Sequence, residues 1–250
     1  MPTPPPTHPL RWALAAAVLA PILWGVSWIG ITEFMPAHRP VYAACLRTLP
    51  IGLMLLACVR RLPTGRWWLR AVVLGALNFG IFYALLTVAA YRVPGGVAAT
   101  MGALQPLMVL ALGIPLLHIA PNGRHVMAGA IGIAGVSLLV FSPAIELDAI
   151  GILAAVGAVA SMSAGVVLTK RWSDPDVSPL TSTAWQLTAG GLMLTVAALA
   201  IEGAPPPPTH HTFIAVLFVG VVCTGLANWL WFVGLASIPA ARASSLTLLS

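Results

Sequence analysis

The sequence predicts an all-α polytopic membrane protein, and three observations predict it. Of 250 residues, 59% are hydrophobic and only 7% are charged, against roughly 25% charged in an ordinary soluble domain. Apolar runs of about 20 residues recur along the chain, the length a helix needs to cross about 30 Å of hydrocarbon. Backbone groups in lipid must be satisfied within their own segment, so runs of this length fit helices and not strands.

The elements follow in order, broken at Pro, Gly and charge clusters. Residues 1–9, MPTPPPTHP, read as a flexible Pro-rich cytoplasmic leader, because Pro lacks the amide and fixes φ. A first span over about 10–33 is too long for a cleaved signal sequence, and more spans follow it. Spans are then predicted at about 40–59, 69–91, 95–118, 125–142, 149–171, 178–201 and 212–237, with a ninth from about 240. Four arginines, Arg60, Arg61, Arg66 and Arg70, separate the second span from the third. Pro94, Gly95 and Gly96 make the corner between the third and fourth, where Pro begins and Gly permits a tight reversal. Pro205 to Pro208 form a stiff polyproline spacer before the eighth span.

Charge sets the orientation. With the N-terminus cytoplasmic, Arg11, Arg60, Arg61, Arg66, Arg70, Arg124, Lys170, Arg171 and Arg242 lie at the cytoplasmic side, and Arg39 and Arg92 lie outside. Nine against two is the positive-inside pattern. The formal net charge of +6 is thereby a matter of topology; without a basic patch interleaved with aromatics, nucleic acid is not an expected partner. Eleven of the twelve basic residues are Arg, and Ala, Gly and Pro are abundant, which reads as GC-rich coding and a bacterial cytoplasmic membrane. Cys45, Cys58 and Cys223 sit in apolar segments without CxxC spacing, so neither a disulfide framework nor a thiolate metal site is indicated. His210 and His211 have no third ligand beside them, and no metal or cofactor is expected.

The chain repeats itself. With Pro94 aligned on Pro239, residues 74–105 compare with 219–250 without gaps, and Gly75, Gly80, Leu85, Val88, Pro94, Ala98 and Leu104 match Gly220, Gly225, Leu230, Val233, Pro239, Ala243 and Leu249. The tetrapeptide GLML at Gly52–Leu55 recurs at Gly191–Leu194. The shift changes from 139 to 145 residues, an extra six placed in the Pro-rich loop. Two homologous units follow, over 10–142 and 149–250. Five spans precede the second unit, and an odd number turns it upside down relative to the first, as in many secondary transporters that alternate access about a central site.

Four stretches carry a resemblance: LWGVSWIGI (Leu23 to Ile31), LRTLPIGLML (Leu46 to Leu55), NFGIFYALLTVAAYRVPGGVAATMGALQPL (Asn78 to Leu107) and GIAGVSLLV (Gly132 to Val140). Together they resemble an EamA-type member of the drug/metabolite transporter superfamily. The resemblance implies ten helices in two inverted five-helix repeats, and export of small metabolites such as amino acids or of toxic compounds. The second unit stops at Ser250, aligned with Gln105, so against that pattern the rest of a ninth helix and a tenth are missing; the expectation is a fragment, or else not a complete transporter of this type.

Candidate substrate-binding residues are those whose polarity is costly in a membrane. Arg47 lies about 10 Å along the second span, and a mid-membrane charge costs at least about 2.5–3.5 kcal/mol. It either binds an anionic substrate group or a helix-end carbonyl, or snorkels to the outer interface. Asn78, Phe82 and Tyr83 of the third span, Asn228 and Trp231 of the eighth, and Trp24, Ser27 and Trp28 of the first either line a cavity or join helices and anchor interfaces. Gln105 precedes Pro106, which removes the amide that would bond toward residue 102 and so helps expose a carbonyl near Gly102. Pro94, Gly95, Gly96, Pro106 and the copy Pro239 are the expected helix breaks or hinges.

All six acids, Glu33, Glu146, Asp148, Asp174, Asp176 and Glu202, lie near span ends or in loops. A proton-coupled carrier usually holds a titratable group at mid-membrane, so facilitated diffusion or coupling through substrate charge is expected. The expectation is a transporter acting on a small-molecule substrate within the lipid bilayer. An integral-membrane enzyme is the alternative, against which stands the absence of HExxH, GxSxG and a buried His-Asp pairing; a non-transporting membrane scaffold is the other.

Overall fold

The computed structural model describes residues 10–34, 38–94, 100–117, 148–205 and 209–231, with 123, 127, 131 and 207. Among these residues the chain forms seven helices: α1 (Leu10–Phe34), α2 (Pro40–Val59), α3 (Trp67–Ala90), α4 (Gln105–Leu117), α5 (Ala149–Arg171), α6 (Pro179–Ile201) and α7 (His210–Trp231). Five of them, α2, α3, α5, α6 and α7, are long and apolar enough to cross a membrane. The predicted fifth span, the ninth span, Gly95, Gly96 and Pro239 lie outside the described residues or largely so.

The helices start where local chemistry satisfies their free amides. Asp148 accepts from Ile150 N at α5, and Ser178 accepts from Thr181 N at α6. Thr209 and Thr212 form a reciprocal capping box at α7. At α2 the residue before the helix, Arg39, makes no side-chain cap. The cap comes instead from the far end of α6: Glu202 accepts from Val41 N at 2.8 Å and Tyr42 N at 2.9 Å. A carboxylate on two orphan amides at the positive helix end is doubly favourable. Arg39 also donates to Ala204 O at 2.6 Å.

At the opposite end of α2, Trp185 Nε1 donates to Arg61 O at 2.6 Å and Arg61 Nη1 to Asp176 O at 2.8 Å. The start of α2 thus meets the end of α6 and the end of α2 the start of α6, so the two helices are antiparallel. Their backbones touch. A Cβ on Gly52 would lie 2.6 Å from Thr188 N and 2.7 Å from Leu187 C, and one on Gly191 2.7 Å from Leu49 Cα. Small residues permit such crossings, which in lipid must be held by van der Waals contact because apolar burial there gains little. The next two residues of each GLML, Leu53 with Met54 and Leu192 with Met193, are exposed, on the outer surface that acyl chains would cover.

Around this pair, α3 packs on α6 and α5, and α7 packs on α2 and α1. Ser161 Oγ of α5 donates to Leu77 O of α3 at 2.8 Å, Gly157 faces Leu85, and Gly151 faces Arg92 and Val93, so α5 runs antiparallel to α3. Phe34 of α1 meets Phe218 of α7 edge-on at 6.4 Å and Trp24 meets Trp231 at 5.3 Å, so α1 runs antiparallel to α7. Met101, Ala154 and Ala155 share a core cluster with Val93, fixing the start of the α4 segment against α5.

Two helices depart from α geometry. α3 widens to a π-helix over Ala76–Gly80 and α7 over Val216–Leu226. In both, the widened stretch includes the interval between the glycines matched in sequence, Gly75 to Gly80 and Gly220 to Gly225. An inserted residue of this kind wedges apart the i to i+4 ladder and re-aims side chains, and such bulges are frequent at functional sites.

Arg92 pairs with Asp148 at 2.8 Å. The Arg92 guanidinium, together with the Ile150 amide, holds the Asp148 carboxyl below its ordinary value of 3.8. The folded-state value is depressed, so this stabilisation is complete above the unfolded value and lost as pH falls through the folded one. Melting in detergent is therefore expected to fall from Asp148 to Asp148→Asn, which keeps a cap but no charge, and further to Asp148→Ala. The gap between Asp148 and Asp148→Asn narrows as pH falls below about 4, where the unfolded carboxyl protonates, and closes once the folded carboxyl is protonated too.

Candidate intramembrane binding site

Arg47 stands on α2 between α3 and α7. The residue is 2% exposed, so its side chain is packed among the helices. Nε donates to Thr224 Oγ1 of α7 at 3.2 Å, and the guanidinium lies 4.2 Å from the Tyr83 ring centroid of α3. Nη1 is buried and has no hydrogen-bond partner among the described residues. The one salt bridge among the described residues is Arg92 with Asp148, so none of their carboxylates pairs with Arg47.

Magnitudes show how unusual this is. Placing the charge at mid-membrane costs about 2.5–3.5 kcal/mol. A desolvated cation–π contact returns about 2 kcal/mol, and an intramembrane hydrogen bond averages about 0.6 kcal/mol. These contacts roughly offset the burial of the cation and leave one donor unmet.

Thr224 serves three partners because the π-helix displaces it. Its Oγ1 donates to Val219 O, five residues back, at 2.8 Å while accepting from Arg47, and its carbonyl accepts from Asn228 Nδ2 at 2.8 Å. Asn228 is thus joined to Arg47 through one residue. Trp231 meets Trp24 with the rings tilted by 55°, and Ser27 Oγ donates to Trp24 O at 2.6 Å; this α1–α7 layer lies next along α7. Tyr83 is flanked by Phe82 at 5.0 Å and Phe79 at 5.9 Å between ring centroids. The Trp28 side chain is outside the described residues.

Asn78 is held elsewhere. Nδ2 donates to Gln186 Oε1 of α6 at 2.8 Å and to Thr169 Oγ1 of α5 at 3.2 Å. Oδ1 sits where a Cβ on Gly165 would fall, and it too lacks a hydrogen-bond partner among the described residues. Gln186 in turn donates to Ser182 Oγ at 2.8 Å. Asn78 therefore joins three helices, and Gly165 makes room for it. A double-mutant cycle of Asn78→Leu and Gln186→Leu in detergent is expected to give a coupling of about 0.6 kcal/mol and at most about 1.7.

Gln105 and Pro106 are half-buried at the start of α4. The amide that Pro106 lacks is replaced: the chain tightens to a 3₁₀ turn over Gly102–Leu104, and the Gly102 carbonyl accepts the Gln105 amide. Pro94 is exposed after the end of α3.

Two residues were missed in the sequence, Thr224 and Gln186. Gln186 was within reach, because the 139-residue shift that superposes the two GLML segments also superposes Arg47 on Gln186. The same shift superposes Leu49 on Thr188, so the contact of Gly52 with Thr188 and that of Gly191 with Leu49 fall at matched positions of the two segments. Thr224 carried no such signal, since its role depends on the local change of helical pitch.

Comparisons with known proteins agree with this picture of a membrane-embedded helical chain. The pattern of the EamA-like transporter family matches residues 11–141 and again 149–250. Protein PecM of Dickeya dadantii is 39% identical over 220 residues, covering 88% of this chain and 74% of PecM. The uncharacterized transporter YvbV of Bacillus subtilis is 28% identical over 249 residues, covering 96% and 80%. The uncharacterized inner membrane transporter YedA of Escherichia coli K12 is 28% identical over 206 residues, covering 80% and 66%. With both matches spanning nearly the whole chain, and membrane-length helices to carry them, the protein belongs to the EamA-like transporter family of membrane transporters for small molecules.

Proposed function

We propose that the protein is a secondary transporter that exports small metabolites, amino acids or related compounds and drugs, across the bacterial cytoplasmic membrane. It works by alternating access at a site between two inverted repeats, over residues 10–142 and 149–250, with the N-terminus cytoplasmic. The observation that carries this reading is the reciprocity of α2 and α6. These antiparallel helices meet through equivalent residues, Gly52 on Thr188 and Gly191 on Leu49, which is what a two-fold axis in the membrane plane requires. The surrounding contacts support it: α3 lies against α5 and α6 as α7 lies against α1 and α2, and the π-helical stretches share the matched glycine interval.

Alternating access needs the two ends of such a pair to close in turn. The ends of α2 and α6 carry different fastenings, Glu202 with Arg39 at one and Trp185 with Arg61 and Asp176 at the other. Arg47 stands between them, and Arg47, Tyr83, Phe82, Asn228 and Trp231 are the residues through which substrate passes. The reading is of a carrier and not an enzyme, supported by relatives that are named as transporters.

Reconstitution tests it. Proteoliposomes of the full chain, preloaded in turn with labelled amino acids, organic acids, aromatic metabolites and drugs, are expected to release at least one compound faster than protein-free vesicles. Correctly inserted protein that releases none across the whole panel contradicts the proposal.

A further inference from the structure

We infer that the substrate is an organic monoanion, a carboxylate without a compensating ammonium, and that its charge is paired by Arg47. The inference rests on the transport reading above and narrows its substrate, setting zwitterionic amino acids aside in favour of related compounds that lack the ammonium. Three observations lead to it. Arg47 is a fixed cation, 2% exposed, whose Nη1 has no hydrogen-bond partner among the described residues. Guanidinium is the side chain best suited to a planar carboxylate, because its donors form a fork matching two oxygens. Its partners on two other helices, the Tyr83 ring and Thr224 Oγ1, hold the cation in place without neutralising it.

The second half of the inference comes from what the rest of the chain lacks. All six acids of the sequence fall outside the predicted span interiors. Glu202 accepts two amides at the α2 start, Asp148 is paired with Arg92, and Asp174 accepts from Trp67 Nε1 and Asp176 N. Among the described residues no carboxylate is hydrogen-bonded or ion-paired to Arg47, so none there is shown to receive a substrate ammonium beside it. A zwitterion bound there would satisfy the arginine and strand its own cation, whereas a monoanion leaves the pair neutral. The Tyr83 ring against the guanidinium, with the Phe82 and Phe79 rings against Tyr83, fits an apolar or aromatic body on that anion. Net movement of one negative charge also gives the export direction a driving force, because an interior-negative potential expels anions.

A matched series tests the charge alone. 4-Hydroxyphenylacetate, tyrosine and tyramine share one ring and differ in being an anion, a zwitterion and a cation. Each is preloaded, labelled, into proteoliposomes of the full chain and into protein-free vesicles. The expected result is release of the anion about tenfold or more faster than of the other two after subtraction of the protein-free rate. Release is further accelerated by an interior-negative potential set with valinomycin and a potassium gradient. Arg47→Gln is expected to remove that release, and Arg47→Lys, which keeps a point charge, to retain part of it. Folding of each variant is checked by size-exclusion profile and melting, so a collapsed variant is recognised, and the matched series on the unaltered chain does not depend on any variant.

Release of tyrosine or tyramine as fast as the anion overturns the inference, as does Arg47→Gln protein that releases the anion at the unaltered rate. If only neutral or cationic members of the wider panel are released, the monoanion assignment fails and the transport reading stands. If nothing is released, both fail.

Discussion

Gly52→Leu is expected to abolish assembly of the helix bundle, and Gly191→Leu to do the same. The atoms that a side chain would strike at these positions are backbone: Thr188 N and Leu187 C for one, Leu49 Cα for the other. A flexible side chain can swing aside, but a helix backbone can yield only by moving the whole helix. Extra methylenes in a packed interior typically cost about 1–3 kcal/mol, and a leucine set against backbone belongs at or above the top of that range. The measurement is the size-exclusion profile and melting temperature of detergent-purified protein, with loss of the monodisperse peak expected for both variants. Gly52→Ala and Gly191→Ala are expected to give smaller and closely similar losses, because the two contacts are equivalent. Their double variant should not be additive, since both substitutions are relieved by the same separation of α2 from α6. Gly102→Ala is the control: nothing lies within 4 Å of its added carbon, and melting is expected to hold or rise. Unequal effects at Gly52 and Gly191 would falsify the reciprocal crossing.

Arg47→Met is expected to separate stability from activity. If the arginine were there to hold helices together, its loss would weaken the fold. Among the described residues, however, its contacts are few: one hydrogen bond at 3.2 Å and one ring face, with Nη1 left without a hydrogen-bond partner. Thr224 keeps its bond to Val219 O when Arg47 is gone, so methionine leaves no buried donor orphaned on α7. Replacing a buried charge by an apolar side chain of similar length is often neutral or stabilising. The melting temperature of Arg47→Met is therefore expected to match or exceed that of the unaltered protein. Release from proteoliposomes is expected to drop by about tenfold or more, the scale on which losing one member of a buried charge pair acts. A variant that melts much earlier and still transports contradicts this assignment.

Much of the architecture was legible in the sequence because a membrane leaves few choices. Hydrocarbon thickness fixes span length, so the starts and ends of α2, α5 and α6 follow from Pro40, the Arg60–Arg61 pair, Asp148, Lys170–Arg171 and Ser178 within a residue or two. The prediction of Arg47 as a site residue rested on the same cost of polarity in lipid, and the structure places it against Tyr83, another predicted residue. Other features depend on tertiary contact and left no local mark. The cap on α2 comes from Glu202, 161 residues beyond Val41, and the local sequence offers only Pro40. The π-helical stretches follow no composition rule, although each includes the interval between the matched glycines. Asn78 was read as one of a set with Phe82 and Tyr83 on one face; the widened pitch at Ala76–Gly80 turns it instead toward Gln186 and Thr169. Gln186 carries its signal only in the repeat, where the 139-residue shift superposes it on Arg47.

The central claim is that the chain is a carrier whose site faces each side in turn, and counterflow tests it most directly. Proteoliposomes of the full chain are loaded with an excess of the unlabelled compound that the release panel finds fastest, then diluted into a trace of the same compound labelled. A carrier that reorients fastest when occupied draws label inward against its own gradient. The account predicts a transient overshoot of internal label above its equilibrium value, absent from protein-free vesicles and reduced in Arg47→Met. Entry of label that rises steadily to equilibrium without overshoot, or entry no faster than in protein-free vesicles, contradicts it.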